Sequence, residues 1–345
     1  MHLKSILLFR QMGLLALLGE PYLAGHSLDE GIEAIEQLFL QGLQEHGQPI
    51  CSTLDILGEE AKTKEDAERN ILHYQNALEA LGRLRVAHLP TANEHGIRSP
   101  FTASLKLSAI STSERYNGQL SIDQQALQQH LKLVLDIADL NDIPLTVDME
   151  DHLWTEVTLE LAADFWSHGR NVDIVLQSYL HRTLNVGRDF DKYIDQAYPL
   201  PREETTIRAC RGIYREPKDV AVSSVKEAKV RLYYLVDRLL QAKYHVGIAT
   251  HDPKLVEKIR KDILEKRNVP KTQYELQGLK GVYSFADSIM PPALAAGETV
   301  RMYMPMEMER GAGEPYMNRR VMANPGIAAR FLSDRMKKAG RMMVG

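Results

Sequence analysis

Two kinds of apolar pattern alternate along the chain. Stretches near residues 28–46 and 122–139 carry apolar residues at three- and four-residue spacing, which is typical of amphipathic helices. A capping-box signature precedes each of them, Ser27 with Glu30 and Ser121 with Gln124. Between such stretches the pattern predicts eight short strands, at residues 52–57, 104–110, 144–149, 172–179, 205–213, 245–250, 274–279 and 299–305.

This alternation predicts the fold class. Strands separated by helix-length segments form parallel sheets with crossover helices. Eight such units over about 250 residues match the size of a closed (β/α)₈ barrel, so we expect an α/β protein with a TIM-barrel fold. We expect residues 1–50 to form an N-terminal helical segment packed on the barrel formed by residues 51–345. An open doubly wound sheet is the alternative, but no Gly-x-Gly-x-x-Gly fingerprint follows any predicted strand.

Polar residues interrupt or follow every predicted strand. Barrel enzymes carry their catalytic groups at the C-terminal strand ends. A charged side chain in a buried parallel strand lowers the free energy of unfolding by several kcal/mol unless it is paired or binds a ligand. One such residue can be explained by a structural salt bridge, whereas the whole set predicts a ligand cavity. The set is Glu59, Lys106, Asp148, Glu150, Gln177, Arg208, Arg211, Tyr214, Thr250, His251, Gln277, Arg301 and Tyr303.

A basic helix is predicted after the last strand, beginning at Pro315 and ending before Asn324. Tyr316, Arg319 and Arg320 share one face of it because they are spaced i, i+3 and i+4. Two guanidinium groups beside a tyrosine suit a carboxylate or a phosphate. A solvated basic helix end is the alternative explanation.

Composition narrows the function classes. The 345 residues carry a net charge of −4 with mixed acidic and basic residues, which does not indicate a nucleic-acid binder. Cys51 and Cys210 form no metal-binding spacing, so we predict two buried free thiols in a reducing compartment and no metal site. The first 25 residues imitate a signal peptide, but Arg10 and Gln11 interrupt the apolar run, which favours a packing helix.

Nine motifs, in order and over most of the chain, resemble the proline dehydrogenase family. They are residues 53–59 (TLDILGE), 105–110 (LKLSAI), 146–150 (TVDME), 176–179 (LQSY), 208–217 (RACRGIYREP), 250–252 (THD), 274–277 (YELQ), 300–303 (VRMY) and 316–320 (YMNRR). The resemblance implies a distorted (β/α)₈ barrel with FAD on its strand ends and a C-terminal helix that caps them. It also implies oxidation of L-proline to Δ1-pyrroline-5-carboxylate, with electrons passed to a membrane quinone and product passed to a pyrroline-5-carboxylate dehydrogenase.

The resemblance assigns roles to individual residues. Arg319 and Arg320, helped by Lys106, correspond to the groups that pair with the proline carboxylate. Asp148, Tyr214, Tyr303 and Tyr316 correspond to residues that line the substrate pocket. Arg208 matches the arginine near flavin N5, and Glu59 matches a carboxylate that gates the pocket. The residues that match other FAD contacts are Gln177, Arg211, Gly212, Thr250 and His251.

Three departures from the family pattern keep other functions open. Where this chain has Arg211, Asp252 and Ala323, the family usually has lysine, asparagine and glutamate, respectively. A non-catalytic barrel that binds carboxylates without FAD is one alternative. The other is a metal-dependent lyase or hydrolase, with the candidate ligands Asp148, Glu150, His152 and His251.

The sequence leaves two further points open. The general base that removes the proline ammonium proton is Asp148, His251 or solvent. The expected location is the cytoplasm, with peripheral membrane contact through an amphipathic helix at residues 3–18.

Overall fold

Eight parallel strands close into a barrel. The computed structural model of the chain describes residues 20–58, 60–184, 204–308 and 313. Around the barrel the strand order is β1, β10, β9, β8, β7, β6, β5 and β2, and β2 pairs again with β1. The barrel strands are β1 (Cys51–Leu57), β2 (Phe101–Leu105), β5 (Leu145–Val147), β6 (Asp173–Gln177), β7 (Thr206–Cys210), β8 (His245–Ala249), β9 (Tyr274–Leu279) and β10 (Val300–Glu307). The predicted closed α/β barrel is confirmed.

Helices surround the strands, and the six longest of them begin at side-chain caps. The helices are α1 (Leu28–His46), α2 (Lys64–Glu94), α3 (Gln124–Leu140), α4 (His152–Ser167), α5 (Val225–Gln241), α6 (Pro253–Ile259), α7 (Tyr283–Ser288) and α8 (Met290–Ala295). A π-helical turn, Arg260–Glu265, continues α6. Thr63 and Asp66 form a reciprocal capping box at the start of α2, which satisfies backbone N–H groups that have no partner inside the helix.

The apolar core lies between the barrel wall and the helices, and it includes the fully buried Trp154, Phe39, Phe101 and Phe285. Side chains alternate between the two faces of a strand. The outward positions therefore supply this core, and polar side chains such as Glu275 and Arg208 occupy the barrel interior.

Strands β5, β6 and β7 end at Val147, Gln177 and Cys210, earlier than the expected ends at residues 149, 179 and 213. Two further predictions are wrong, at β2 and at the start of α3. The second strand was expected at residues 104–110, but β2 ends at Leu105 and Leu107–Ala109 forms a 3-10 turn. The Ser121–Gln124 capping box is also wrong, because Asp123 caps α3 by accepting the Ala126 N–H.

A β-hairpin missing from the prediction explains the second error. It consists of β3 (Ser113–Tyr116) and β4 (Gln119–Ile122). Asn117 and Gly118, both at positive φ, form the turn. The Asn-Gly dipeptide is a strong hairpin signal that could have located it.

Helix α1 packs against β1 and β10. Residues 1–19 lie outside the described part of the chain, so the division of the chain at residue 50 and the helix at residues 3–18 remain predictions. None of the helices in the described ranges combines the length and the hydrophobicity needed to cross a bilayer.

Candidate active site

A cavity of about 780 Å³ opens at the C-terminal ends of the strands. This is the end at which barrel enzymes bind their ligands. All ten described residues to which the family resemblance assigns a role line this cavity. They are Lys106, Asp148, Gln177, Arg208, Arg211, Gly212, Tyr214, Thr250, His251 and Tyr303.

The side chain of Asp148 lies at the centre of a hydrogen-bond network in the cavity. Its Oδ1 accepts a bond from Arg208 Nη1 at 2.6 Å, and its Oδ2 accepts one from the Tyr303 hydroxyl at 2.5 Å. Burial opposes the charge of Arg208, but the neighbouring Asp148 carboxylate, together with Tyr303 and Cys210, raises the pKa of the guanidinium group. The Arg208 guanidinium also lies 5.0 Å from the centre of the Tyr303 ring, within cation–π range.

Lys106 follows β2 and pairs with a carboxylate that the sequence prediction missed. Its Nζ lies 2.6 Å from Asp55 Oδ1 and 3.8 Å from Asp148 Oδ2. Asp55 is fully buried on β1, and this burial raises its pKa while Lys106 partly offsets the shift. A charged residue inside a predicted buried strand was the available signal, since it needs a partner. The two carboxylates raise the pKa of Lys106 despite its own burial, so the ammonium group stays protonated at the cavity wall.

The loop after β7 needs a glycine for two reasons. Gly212 has φ +100°, which favours glycine, and a Cβ at this position would lie 2.2 Å from the Tyr179 ring. The fourth strand was expected to include Tyr179 as its last residue, but β6 ends at Gln177. Cys210, expected to be buried, is half-buried and lines the cavity at the end of β7.

The segment 250–252 lines the cavity near α5 and α6. The Leu279 N–H donates to His251 Nε2 at 3.0 Å, so the neutral ring carries its proton on Nδ1. Asp252 caps α6, and its Oδ2 lies 2.6 Å from Lys229 Nζ. Although partial burial acts in the opposite direction, the hydrogen bond from Lys229 lowers the pKa of Asp252. The charge that Asp252 adds relative to the family asparagine is therefore balanced within the chain.

The polar and cationic groups that line the cavity fit a flavin dinucleotide. Gln177 is 3% exposed, and its Oε1 has no hydrogen-bond partner among the described residues. This buried acceptor can be satisfied by a donor on a ligand. The cations Arg211, Lys229 and Lys254 also line the cavity, which suits a ligand with two phosphate groups.

Arg301 does not lie at the cavity end, where the sequence placed it. Its Nε donates to Glu275 Oε1 at 2.7 Å, and both residues line a smaller cavity, of about 180 Å³, towards the N-terminal strand ends. Gln277 lines both cavities. The interpretation of Arg301 as a strand-end residue is corrected, because β10 continues to Glu307.

The four candidate metal ligands have separate partners. Glu150 accepts bonds from the Ser108 N–H at 3.0 Å and the Ser108 hydroxyl at 2.5 Å, and β5 ends before both Asp148 and Glu150. His152 pairs with Glu216, and His251 accepts the Leu279 N–H. Within the described ranges no three His, Cys, Asp or Glu residues gather into a possible metal site. Glu59, Tyr316, Arg319 and Arg320 lie outside the described residues.

Fold and site together define an α/β barrel with a polar, cation-lined cavity at the C-terminal strand ends. The family model for proline dehydrogenase matches residues 40–331. The chain therefore belongs to the proline dehydrogenase family. Members of this family are oxidoreductases that act on the CH–NH bond of proline in proline catabolism and are generally flavin-dependent.

Individual relatives agree with this assignment. The chain is 25% identical over 317 residues to proline dehydrogenase 1 of Bacillus subtilis subsp. natto, covering 92% of this chain and 90% of that protein. It is 27% identical over 328 residues to proline dehydrogenase of Deinococcus radiodurans, covering 93% and 90%.

Among solved structures, the chain resembles proline utilization A (PutA) from Bdellovibrio bacteriovorus, with a TM-score of 0.70 and 19% identity. The match covers 91% of this chain and 33% of the PutA chain, so this chain spans about a third of that protein. At this identity the likeness supports the barrel fold alone.

Proposed function

We propose that this chain binds FAD over the C-terminal strand ends and oxidises L-proline to Δ1-pyrroline-5-carboxylate. The observation that carries the proposal is the convergence of ten family-assigned residues on a single cavity of about 780 Å³. Electrons would pass to a membrane quinone, and the product to a pyrroline-5-carboxylate dehydrogenase. Membrane contact through residues 3–18 and a cytoplasmic location belong to this proposal as well.

Bound FAD supplies the hydride acceptor, and the protein supplies position and electric field. Gln177, Thr250 and His251 are the residues that would hold it, together with the loop at Arg211 and Gly212. Lys106 and Arg208 place two fixed positive charges at the cavity wall. Such preorganised charges stabilise negative charge that develops during the reaction.

The substrate carboxylate would be held by Arg319 and Arg320 on the predicted C-terminal helix, with Lys106 as a third cation. Tyr214, Tyr303 and Tyr316 would surround the pyrrolidine ring. Anchoring one end of the substrate at several donors fixes the orientation of the reacting carbon. This orientation lowers the activation barrier of hydride transfer by several kcal/mol. Glu59 would pair with Arg319 and close the pocket when substrate is absent.

Proline must lose its ammonium proton before hydride leaves. His251 does not suit this role, because its Nε2 lone pair accepts the Leu279 N–H and its Nδ1 carries the proton. Asp148 accepts hydrogen bonds from Arg208 and from the Tyr303 hydroxyl, and it faces the cavity. Deprotonation therefore falls to Asp148 or to solvent before the substrate is enclosed.

Purification followed by a proline:dye-reduction assay tests the proposal. We expect a yellow protein that reduces the dye only with proline, and an Arg320→Ala variant that keeps its flavin while the KM for proline rises by at least about tenfold. Arg320→Lys keeps the charge and loses the bidentate geometry, so its KM should fall between the two. A colourless, inactive protein overturns the function, and an unchanged KM in Arg320→Ala overturns the carboxylate clamp.

A further inference from the structure

We infer that Gln277 is a positioning residue for Arg208 and that the buried Glu275–Arg301 pair fixes the direction of its amide. The inference deepens the proposed function and rests on it, because Arg208 is the cation assigned to the reacting part of the flavin. Gln277 itself has its partners inside the barrel wall, so its effect on the reaction passes through Arg208.

Four side chains form a continuous hydrogen-bonded chain through the barrel interior. Arg301 Nε donates to Glu275 Oε1 at 2.7 Å, and Gln277 Nε2 donates to the same oxygen at 2.6 Å. Arg208 Nε donates to Gln277 Oε1 at 2.8 Å. The chain links the smaller cavity near the N-terminal strand ends to the wall of the main cavity.

Charge gives the Gln277 amide one favourable orientation. Burial of Glu275 opposes its charge, yet Arg301, with His245 and the hydrogen bond from Gln277, lowers the pKa of Glu275 to about 2. The carboxylate is therefore ionised and can only accept hydrogen bonds, so the amide NH₂ group faces it. A flipped amide would bring its oxygen against the carboxylate and its NH₂ against the Arg208 guanidinium.

Space restricts the amide as firmly as charge does. Gly247 lies on β8 and pairs in register with Glu275 on β9. A Cβ at Gly247 would lie 2.4 Å from Gln277 Nε2 and 2.7 Å from its Cδ, closer than real Cβ atoms approach other groups. Gly247 is not among the glycines at positive φ, so the amide of Gln277, rather than the backbone, is what requires a glycine here.

Arg208 is thus held from two sides. Asp148 accepts from Nη1 and Gln277 accepts from Nε, whereas Nη2 has no hydrogen-bond partner within the described chain. Without Gln277, the guanidinium would keep one hydrogen bond, to Asp148, and its cation–π contact with the Tyr303 ring. With Gln277 in place its plane is fixed, so the positive charge keeps one distance from any cofactor in the cavity.

The test uses Gly247→Ala in the FAD-loaded protein, because the added methyl group displaces the amide without removing a hydrogen-bonding group. A positive charge beside a flavin favours the reduced form, so a displaced Arg208 should lower the flavin midpoint potential. We expect at least a tenfold loss in the equilibrium constant for flavin reduction, which is about 30 mV for a two-electron couple. The kcat should fall more than the KM for proline changes.

A double-mutant cycle separates positioning from simple destabilisation. Gln277→Leu should shift the potential in the same direction, and adding Gly247→Ala to it should cause no further shift, because no amide remains to displace. Val246→Ala is the matched control, since Val246 lies in the apolar core behind β8. It should lower the melting temperature and leave the potential unchanged.

The outcomes distinguish the two levels of the proposal. A wild-type protein that neither binds flavin nor oxidises proline overturns the proposed function. An active wild type whose potential is the same in Gly247→Ala and Gln277→Leu overturns the positioning role alone. If Gly247→Ala does not fold, the potential of Gln277→Leu decides, and an unchanged value again overturns the role.

Discussion

Asp173 is a buried carboxyl group at the end of the barrel opposite the active site. It begins β6, is 4% exposed and accepts the Thr206 N–H at 2.7 Å. Burial raises its pKa to about 7 from an ordinary value of 3.8, while Thr206 and Arg98 partly offset the shift. Between these two values the folded protein binds a proton that the unfolded chain releases. The contribution of Asp173 to stability is therefore complete below pH 4 and is lost as the pH rises through about 7.

Asp173→Asn should remove this pH dependence. We expect equal stability of variant and wild type near pH 4 and a variant that is more stable at pH 8, by roughly 2–4 kcal/mol. Urea unfolding across this pH range measures the difference. Asp136→Asn is the control whose effect on stability should have the opposite pH dependence, because hydrogen bonds from Lys132 and Arg170 lower the pKa of Asp136. Parallel stability curves for Asp173→Asn and wild type would show that Asp173 ionises normally.

Single residues show how far the sequence predicts the site. Lys106, Asp148 and Arg208 line the cavity, as expected of charged residues within or just after buried strands, which need a ligand or a partner. The sequence does not predict that Asp55 is the partner of Lys106 or that Arg301 points to the opposite end of the barrel. Those two facts depend on strand register, which residue type and spacing leave undetermined.

Strands and loops show a similar limit. The alternation of strands and helices predicts the barrel, because only a few topologies accommodate eight parallel units. The boundary of β2 is wrong because apolar and polar residues continue to alternate through residues 101–109, so this periodicity does not show where the strand leaves the barrel. In the structure the chain turns after Lys106, and Glu150 holds the turn by accepting the Ser108 N–H at 3.0 Å.

The loop that follows β7 should be intolerant of a side chain at Gly212. Gly212→Ala combines the cost of positive φ with an overlap of the new Cβ and the Tyr179 ring, so this wall of the cavity has to move. We expect the variant to fold with at least about a tenfold weaker FAD affinity and a lower melting temperature. Flavin absorbance after gel filtration and thermal unfolding measure the two effects.

Gly169→Ala provides the matched control for that experiment. Gly169 has φ +75°, but a Cβ there meets nothing within 4 Å. Its substitution therefore carries the backbone cost of about 1–2 kcal/mol without the overlap. Equal flavin content in the two variants would mean that the fit between Gly212 and Tyr179 does not shape the cofactor site.

Three ion pairs with nitrogen–oxygen distances of 2.6–2.7 Å lie inside the barrel, namely Lys106–Asp55, Arg208–Asp148 and Arg301–Glu275. They link local chemistry to the stability of the fold. Buried ion pairs seldom stabilise a fold more than apolar side chains of the same size, because both charges lose their hydration. The charged barrel interior therefore stabilises the fold less than an apolar interior of the same size would. A ligand that binds only the folded form raises the free energy of unfolding and offsets part of this loss.

FAD should accordingly raise the stability of the protein by mass action. At a free FAD concentration of one hundred times Kd, the free energy of unfolding should rise by about 2.7 kcal/mol. For a chain of this length we expect a rise in Tm of roughly 3–6 °C, increasing with the logarithm of FAD concentration. Riboflavin is the comparator, because it lacks the phosphate groups that Arg211, Lys229 and Lys254 would bind, so it should stabilise less. A Tm that does not respond to FAD would mean that this cavity binds another ligand. An equal rise in Tm with riboflavin would mean that the three cations do not contact the FAD phosphates.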